Sequence, residues 1–407
     1  MNFWWILYIF DGLLFFFIAI TVVYFLVFAI ASQFANKTDY SRSKHINRFI
    51  VLIPSYRQDK VVLQTVNTIL GQSYPQRMFD VVVISDHQSE LVNMQLAQLP
   101  ITLLTPNFVE SSKAKSLQYA ILNLPQFKIY DTVLILDSGN LVKPEFLDEV
   151  NNAYETAGTK CIQVRRLSRN RDTAAARLDS IFEEINNSIF RRGHMALGLS
   201  ASLNGSGIVF DFAWFKSNIM RVKPDVGEDK ELESLLMRES IFVDYFDDIH
   251  IYDEKTRSIK DFNNQRSRWI STQLHSLVSN IRYLPSAIFN KNYDHVDKIL
   301  QWMLVPRTIM MGIIGLMSIV LPFIYLTLAI KWWIAAALIL LAFSIATPDY
   351  LVDKNWDKDF LRAPFITIGG LFNIFRAGST EVAKRFTNML NRAKRSKLLK
   401  SLRRKDT

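Results

Sequence analysis

Cysteine is nearly absent from this chain. Cys161 stands alone in 407 residues, which excludes an internal disulfide and frees the chemistry from any need for an oxidising compartment. Six scattered histidines leave no zinc site to be read from spacing. Internal repeats and low-complexity linkers are missing as well, so the polar middle of the chain reads as one elaborated domain. Acid is scarce near the C-terminal end. Between Lys384 and Lys405 ten Lys or Arg residues stand without an Asp or Glu, enough to account for the formal net charge of +10. The remainder is near neutral, so nucleic acid is not the expected partner. A basic tail after membrane spans reads as a cytoplasmic segment facing lipid headgroups.

What is abundant is apolar surface. Hydrophobic residues make up 49% of the chain and aromatics 13%, a bias expected when side chains face lipid as well as a core. The length allows a soluble module of roughly 250 residues plus membrane parts. Residues 3–31 are almost continuously apolar, broken by Asp11 and Gly12. About 20 residues suffice to cross a bilayer, whereas a secretory signal has a shorter apolar run and a basic start. No basic residue precedes this segment, and Lys37, Arg42, Lys44 and Arg48 follow it, so the first span runs outside to inside. A second apolar block, 309–346, is interrupted at Lys331-Trp332-Trp333. A charge beside paired tryptophans predicts an interfacial turn there, with spans over 308–330 and 332–346. The chain then returns to the cytoplasm. Stretches 294–306 and 360–375 carry apolar faces with scattered charge, a pattern shared by interfacial helices and by amphipathic helices packed on a domain.

Between the spans, β-α-β repetition predicts a parallel, doubly wound sheet. Strands are expected at 49–53, 80–85, 101–105 and 132–136, and helices at 61–70, 91–98 and 113–122. Ligands of such sheets bind at the carboxyl ends of the strands. There stand Pro54-Ser55-Tyr56, Asp86, Lys113 and Asp137-Ser138-Gly139-Asn140. Asp86 or Asp137 alone would be an ordinary cap or turn residue. Two carboxylates at strand ends with a lysine between them suit a ribose or base and a diphosphate. Further along are Gly205-Ser206-Gly207, Gly227-Glu228-Asp229 and the pentapeptide Gln265-Arg266-Ser267-Arg268-Trp269.

Taken in that order, these residues resemble the processive-type family 2 glycosyltransferases, which include cellulose, hyaluronan and poly-N-acetylglucosamine synthases and ceramide glucosyltransferase. The resemblance covers residues from about 49 to 273. It implies an α/β fold of the GT-A type (Rossmann-like), cytoplasmic and flanked by transmembrane helices. The expected organisation is a membrane helix over 3–31, the GT-A domain over 45–282, an interfacial region over 283–306, two membrane helices within 308–346, an interfacial helix over 356–378 and a basic cytoplasmic tail over 380–407. The location implied is the plasma (inner) membrane.

The site roles carried by the resemblance are specific. Pro54, Tyr56, Asp86, Lys113 and Asp137 bind the nucleotide-sugar. Asp229 is the general base, completed by Gln265, Arg268 and Trp269, while Glu228 fixes the acceptor or caps a helix. Inverting transfer needs one carboxylate to deprotonate the acceptor hydroxyl and cations to neutralise the departing diphosphate. Arg268 suits the second task because its guanidinium forks onto phosphate oxygens. Trp269 offers a flat face to an acceptor sugar or lipid.

Two positions depart from the family pattern. Gly139 replaces the second acid of the DxD motif, so Mg2+ or Mn2+ would rely on Asp137, with Asn140 as a neutral oxygen donor. Gln58 replaces a glutamate of the opening loop. The activity expected is hexosyl transfer from a nucleotide-sugar, a UDP-sugar by resemblance, to a growing polysaccharide. Three spans are few for a polymer channel. That points either to a second copy or partner membrane protein supplying helices, or to a membrane lipid as acceptor. A non-catalytic nucleotide-sugar-binding membrane protein is the alternative of a different class.

Overall fold

The computed structural model describes residues 3–35, 40–125, 127–223 and 227–352; the segment 356–378 and the tail 380–407 lie outside the described residues. Chain order begins with α1 (Phe3–Ala31), β1 (Phe49–Tyr56), α2 (Val62–Leu70), β2 (Phe79–Asp86), α3 (Glu90–Ala97), β3 (Thr102–Leu104), α4 (Lys113–Leu122), β4 (Thr132–Ile135) and α5 (Phe146–Ala157). It continues through β5 (Cys161–Ser168), α6 (Ala174–Asn187), a π turn (Ser188–Arg192), α7 (Gly193–Ala196), β6 (Ile208–Asp211), α8 (Phe212–Ile219), α9 (Glu228–Arg238) and β7 (Val243–Asp253). Among the described residues five further helices follow: α10 (Ile259–Asn280), α11 (Leu284–Phe289), α12 (Tyr293–Met303), α13 (Arg307–Ile324) and α14 (Leu326–Ala346).

The first strands are short apolar runs buried on both faces, as central parallel strands must be when helices cover them. Seven strands lie in the order β3-β2-β1-β4-β6-β5-β7. The expected parallel pairing holds among β1 to β4, but β6 runs antiparallel to both β4 and β5, so the sheet is mixed. The apolar face of α6, with Leu178, Ile181, Phe182 and Ile185, belongs to a buried cluster shared with α1, α13 and α14, while its Glu183 and Glu184 pair with Arg166 and Arg165 of β5. The chain re-enters the sheet at β6 from the end at which it left β5.

Two apolar cores line the two faces of the sheet, and a third joins α6 to the three long helices. The close fit of α1 on the domain depends on Gly193, where an added Cβ would stand 2.3 Å from the carbonyl oxygen of Phe28. All three long helices are apolar and long enough to cross a membrane.

The turn between the last two is not at Lys331-Trp332-Trp333. It falls at Tyr325, whose backbone is extended, shortly after Pro322 interrupts α13. Lys331 remains inside α14 because the Asp11 carboxylate of α1 pairs with it, and Trp332 Nε1 donates to the same carboxylate at 2.8 Å. Among the last helices before the spans, α12 buries His295, Lys298, Ile299 and Trp302 while Leu300 and Met303 stay exposed.

Candidate active site

At the ends of β1 and β2 the register sets Tyr56 opposite Asp86. Asp86 is 1% exposed. Its Oδ1 meets His87 Nδ1 at 2.5 Å, and its Oδ2 has no partner. A buried carboxylate oxygen left unpaired costs stability unless something outside the chain satisfies it. Arg57 and His87 both adopt positive φ, a strained state for residues with a Cβ that recurs at ligand sites. The Arg57 guanidinium lies 5.1 Å from the Tyr56 ring, and the His87 ring stands edge-on to Tyr56 at 5.7 Å. Pro54 lies beside this niche, next to Ser55, whose hydroxyl accepts from Gln88 Nε2.

A second group assembles around Lys113, the first residue of α4. Its Nζ donates to Asp137 Oδ1 at 2.5 Å and to the Gly205 carbonyl at 2.6 Å, and lies 3.4 Å from Glu228 Oε1. Burial opposes the ammonium, but Asp137, Glu228 and Asp229 together hold the Lys113 pKa above its ordinary value. Burial pushes the Glu228 carboxyl up, against the pull of Lys113. Gly205 makes the approach possible. It has φ +70, and a Cβ there would point at Asp229 Oδ2 and Lys113 Nζ, each 3.9 Å away.

Helix α9 begins at this point. Its N-cap is Gly227, which carries no side chain to cap with, so Asp229 is not the N-cap. Among the described residues the Asp229 carboxylate has no hydrogen bond, and it faces the cleft. A carboxylate free to accept a proton is what a general base requires.

Asn140 is not a ligand-facing residue. It is fully buried, its Oδ1 accepts from the Asp137 N–H at 3.1 Å and from the Ser206 hydroxyl, and its Nδ2 donates to Asp253. It holds the loop that presents Asp137. Gly139 has room: an added Cβ would have as its nearest neighbour Val61 Cγ2 at 3.9 Å. Among the described residues no group of three or more His, Cys, Asp or Glu forms a metal cage. The donors fit a cation that arrives with a diphosphate and takes one protein carboxylate, Asp137, as Mg2+ commonly does at phosphate sites.

The pentapeptide lies on α10, and its residues divide. Gln265, Arg268 and Trp269 line the cleft, Trp269 being 37% exposed. Arg266, in an unassigned position of the motif, is buried: Nη2 reaches Asp179 Oδ1 at 2.5 Å, and the guanidinium lies 4.3 Å from the Trp269 ring and 4.8 Å from Phe262. Burial lowers its pKa against the pull of Asp179. Trp269 thus has the Arg266 guanidinium against its ring, which leaves less of it free as a stacking platform than the sequence suggests.

One cleft of about 610 Å³ joins most of these groups. At one end are Lys113, Asp137, Glu228 and Asp229; its wall carries Gln265, Arg268 and Trp269; its far end is Phe25 of α1 and Val305 to Thr308 at the start of α13. Pro54, Tyr56 and Asp86 are outside it, at the ends of β1 and β2, so the predicted residues fall into two neighbouring niches. Sequence reasoning missed the residues behind the cleft. Glu183, fully buried, holds Arg166 at 2.8 Å, Lys255 at 3.2 Å and Asn204 at 2.8 Å. It also missed Arg307 in the cleft lining. The signal was present in Arg307, an arginine at the first position of an apolar helix, where the dipole disfavours a cation.

Residues 47–272 match the family described as glycosyltransferase like family 2. The mannosyltransferase PcManGT from Pyrobaculum calidifontis, solved in complex with GDP-Man and Mn2+, superposes with a TM-score of 0.53 over 90% of this chain and 98% of its own, at 13% identity. TarS residues 1–349 from S. aureus give a TM-score of 0.44 over 81% of this chain and 92% of theirs, at 14% identity. At 13% identity the likeness to the mannosyltransferase is one of fold, GT-A. Comparison with curated protein sequences finds no match.

Proposed function

Because the chain belongs to the family 2 glycosyltransferases over residues 47–272, we propose that it transfers a hexose from a nucleoside diphosphate sugar, with inversion, to an acceptor hydroxyl that enters from the membrane. The observation that carries this reading is the single cleft running from the Lys113, Asp137 and Asp229 cluster to the first turn of α13. A donor at the strand ends and an acceptor at the membrane end would meet at Asp229.

The roles follow from the chemistry of each group. Tyr56 and the unpaired oxygen of Asp86 receive the base and ribose, with Pro54 shaping the niche. Lys113 supplies fixed positive charge to the diphosphate, and Arg268 forks onto it from α10. Asp137 would hold a Mg2+ or Mn2+ that arrives with the donor, which would supply further charge to the leaving group. The acceptor oxygen forms a bond to the anomeric carbon as the bond from that carbon to the diphosphate oxygen breaks. The electron pair leaves with the nucleotide, and the hydroxyl proton passes to Asp229. Glu228, held by Lys113, keeps the ammonium in place, and Gln265 and Trp269 bound the acceptor.

A membrane lipid is the acceptor we favour. Three packed apolar helices offer few walls for a polar conduit, and the cleft ends at the membrane helices themselves. The second reading, extension of a polysaccharide, is favoured by Gln265, Arg268 and Trp269 standing together in the cleft. We place the domain on the cytoplasmic face of the inner membrane from the basic residues Arg42, Lys44 and Arg48 after the first span. The test is incubation of purified full-length protein with radiolabelled UDP-glucose, UDP-N-acetylglucosamine and GDP-mannose in native lipid. Label in a single-sugar lipid supports the proposal, label in long polymer supports the second reading, and no nucleotide release from any donor rejects both.

A further inference from the structure

Positive charge at the membrane end of the cleft is only partly matched by acid among the described residues. Arg307, the first residue of α13, donates from Nη1 to the Phe182 carbonyl at 3.3 Å and lies 4.8 Å from the Phe182 ring. Among the described residues no ion pair reaches it. Helix α13 opens with no side-chain cap, so its first N–H groups add to the excess. Beside it, Arg266 is 6% exposed, and its Nε is buried with no acceptor. Arg266, Arg268 and Arg307 all line the cleft, and Asp179 is the one carboxylate paired with any of them among the described residues. The Arg266 Nε–H, withdrawn from water without an acceptor, costs stability, and Arg307 beside it has no ion pair among the described residues, so an anion from outside the chain accounts for the arrangement.

The surroundings define what kind of anion. Phe25, Phe182, Phe190 and Leu304 wall the same end, and the chain enters a membrane span immediately after it. A soluble anion has no use for such walls, and a neutral lipid leaves the arginines unpaired. The position along α10 separates this end from the reacting centre. Thr272 packs at Gly227 beside Asp229, whereas Arg266 faces Phe182, the residue that holds Arg307. Six residues of helix at 1.5 Å each put about 9 Å of axis between the two levels. An anion bound there anchors the acceptor and does not itself attack.

We propose that Arg307 and Arg266 bind the phosphate of a membrane lipid acceptor, a phosphodiester or diphosphate set between the hydrocarbon tail and a hydroxyl-bearing headgroup that reaches Asp229. The proposal rests on the lipid-acceptor reading above. The headgroup hydroxyl forms the new bond to the anomeric carbon, its proton goes to Asp229, and the nucleoside diphosphate leaves with the electron pair. The lipid phosphate is unchanged by the reaction.

The experiment uses the full-length protein in nanodiscs of phosphatidylcholine doped with either phosphatidylglycerol, which carries phosphate and hydroxyls, or diacylglycerol, which carries the hydroxyl alone. Nucleotide release and label in the lipid extract are read for wild type, Arg307→Gln and Arg307→Lys, with UDP affinity measured in parallel. The expected result is transfer to phosphatidylglycerol at least about tenfold above diacylglycerol. Arg307→Gln should raise the acceptor KM by about tenfold or more, the scale of a lost charge-assisted hydrogen bond, with UDP affinity unchanged and Arg307→Lys partly restoring it. Equal use of the two lipids overturns the proposal. So does a loss of UDP affinity in Arg307→Gln, which would assign the site to the nucleotide diphosphate. Absence of nucleotide release in every arm rejects the glycosyltransfer reading itself and is thereby distinct from both.

Discussion

The ammonium of Lys113 lies 2.5 Å from Asp137 Oδ1, so this carboxylate is already matched by a cation from the chain itself. Gly205 O and Glu228 hold that lysine from the other sides. In the proposed reaction the positive charge that the leaving diphosphate needs would thus be partly built in, and Asp137 would have one oxygen left for a metal arriving with the donor.

Placing an acid at Gly139 tests that relationship. Gly139→Asp has space for its side chain, since the nearest atom to an added Cβ is Val61 Cγ2 at 3.9 Å. Titration with Mn2+ in the presence of UDP should show tighter binding in the variant. Unchanged metal dependence would mean that Asp137 does not face the diphosphate.

Asp229 carries the catalytic reading. Asp229→Asn keeps the shape and removes the base, so donor binding should persist while transfer falls by about a hundredfold or more. The N-cap of α9 is Gly227, so loss of a cap is not available as an explanation of such a fall. Near-parental turnover in the variant would remove Asp229 from the mechanism.

Arg268→Lys should behave differently, because it retains the charge and loses the forked contact. Both nucleotide affinity and rate should drop, measured by calorimetry with UDP and by nucleotide release. A change in acceptor KM alone would move Arg268 to the acceptor side of the cleft.

Asp11 and Lys331 join α1 to α14 inside the apolar helix cluster. Lys331→Met leaves a buried carboxylate with only Trp332 as partner, so unfolding in mixed micelles should show a loss of about 3–5 kcal/mol. The double change Asp11→Leu with Lys331→Met should recover much of it. Equal stability of the single variant and wild type would show that the pair is solvated in the membrane-embedded protein.

Orientation is tested by Lys44→Cys in a chain whose single native cysteine, Cys161, is buried. The introduced thiol should resist an impermeant maleimide in intact cells and react after lysis. Labelling in intact cells would reverse the assignment of the first span.

Local pattern was enough for the parts of the fold that local pattern controls. Apolar runs fixed by β-α-β repetition marked β1 to β4 and α2 to α4 within a few residues, and α4 from Lys113 to Leu122 without error. Strand ends pointed to Tyr56, Asp86 and Asp137, because in an open sheet the ligand side is a property of the topology. The rest depended on partners far away in sequence. Nothing near Lys331 predicts that Asp11, 320 residues away, would keep it inside a helix and shift the turn to Tyr325. Asn140 resembled a ligand until the fold placed Ser206 and Asp253 against it and turned it inward. The antiparallel β6 was not legible either, because a sequence pattern does not tell from which end a strand enters the sheet. Arg307 differs from the paired arginines of this chain only in what surrounds it, and the surroundings of a side chain exist only once distant segments have packed.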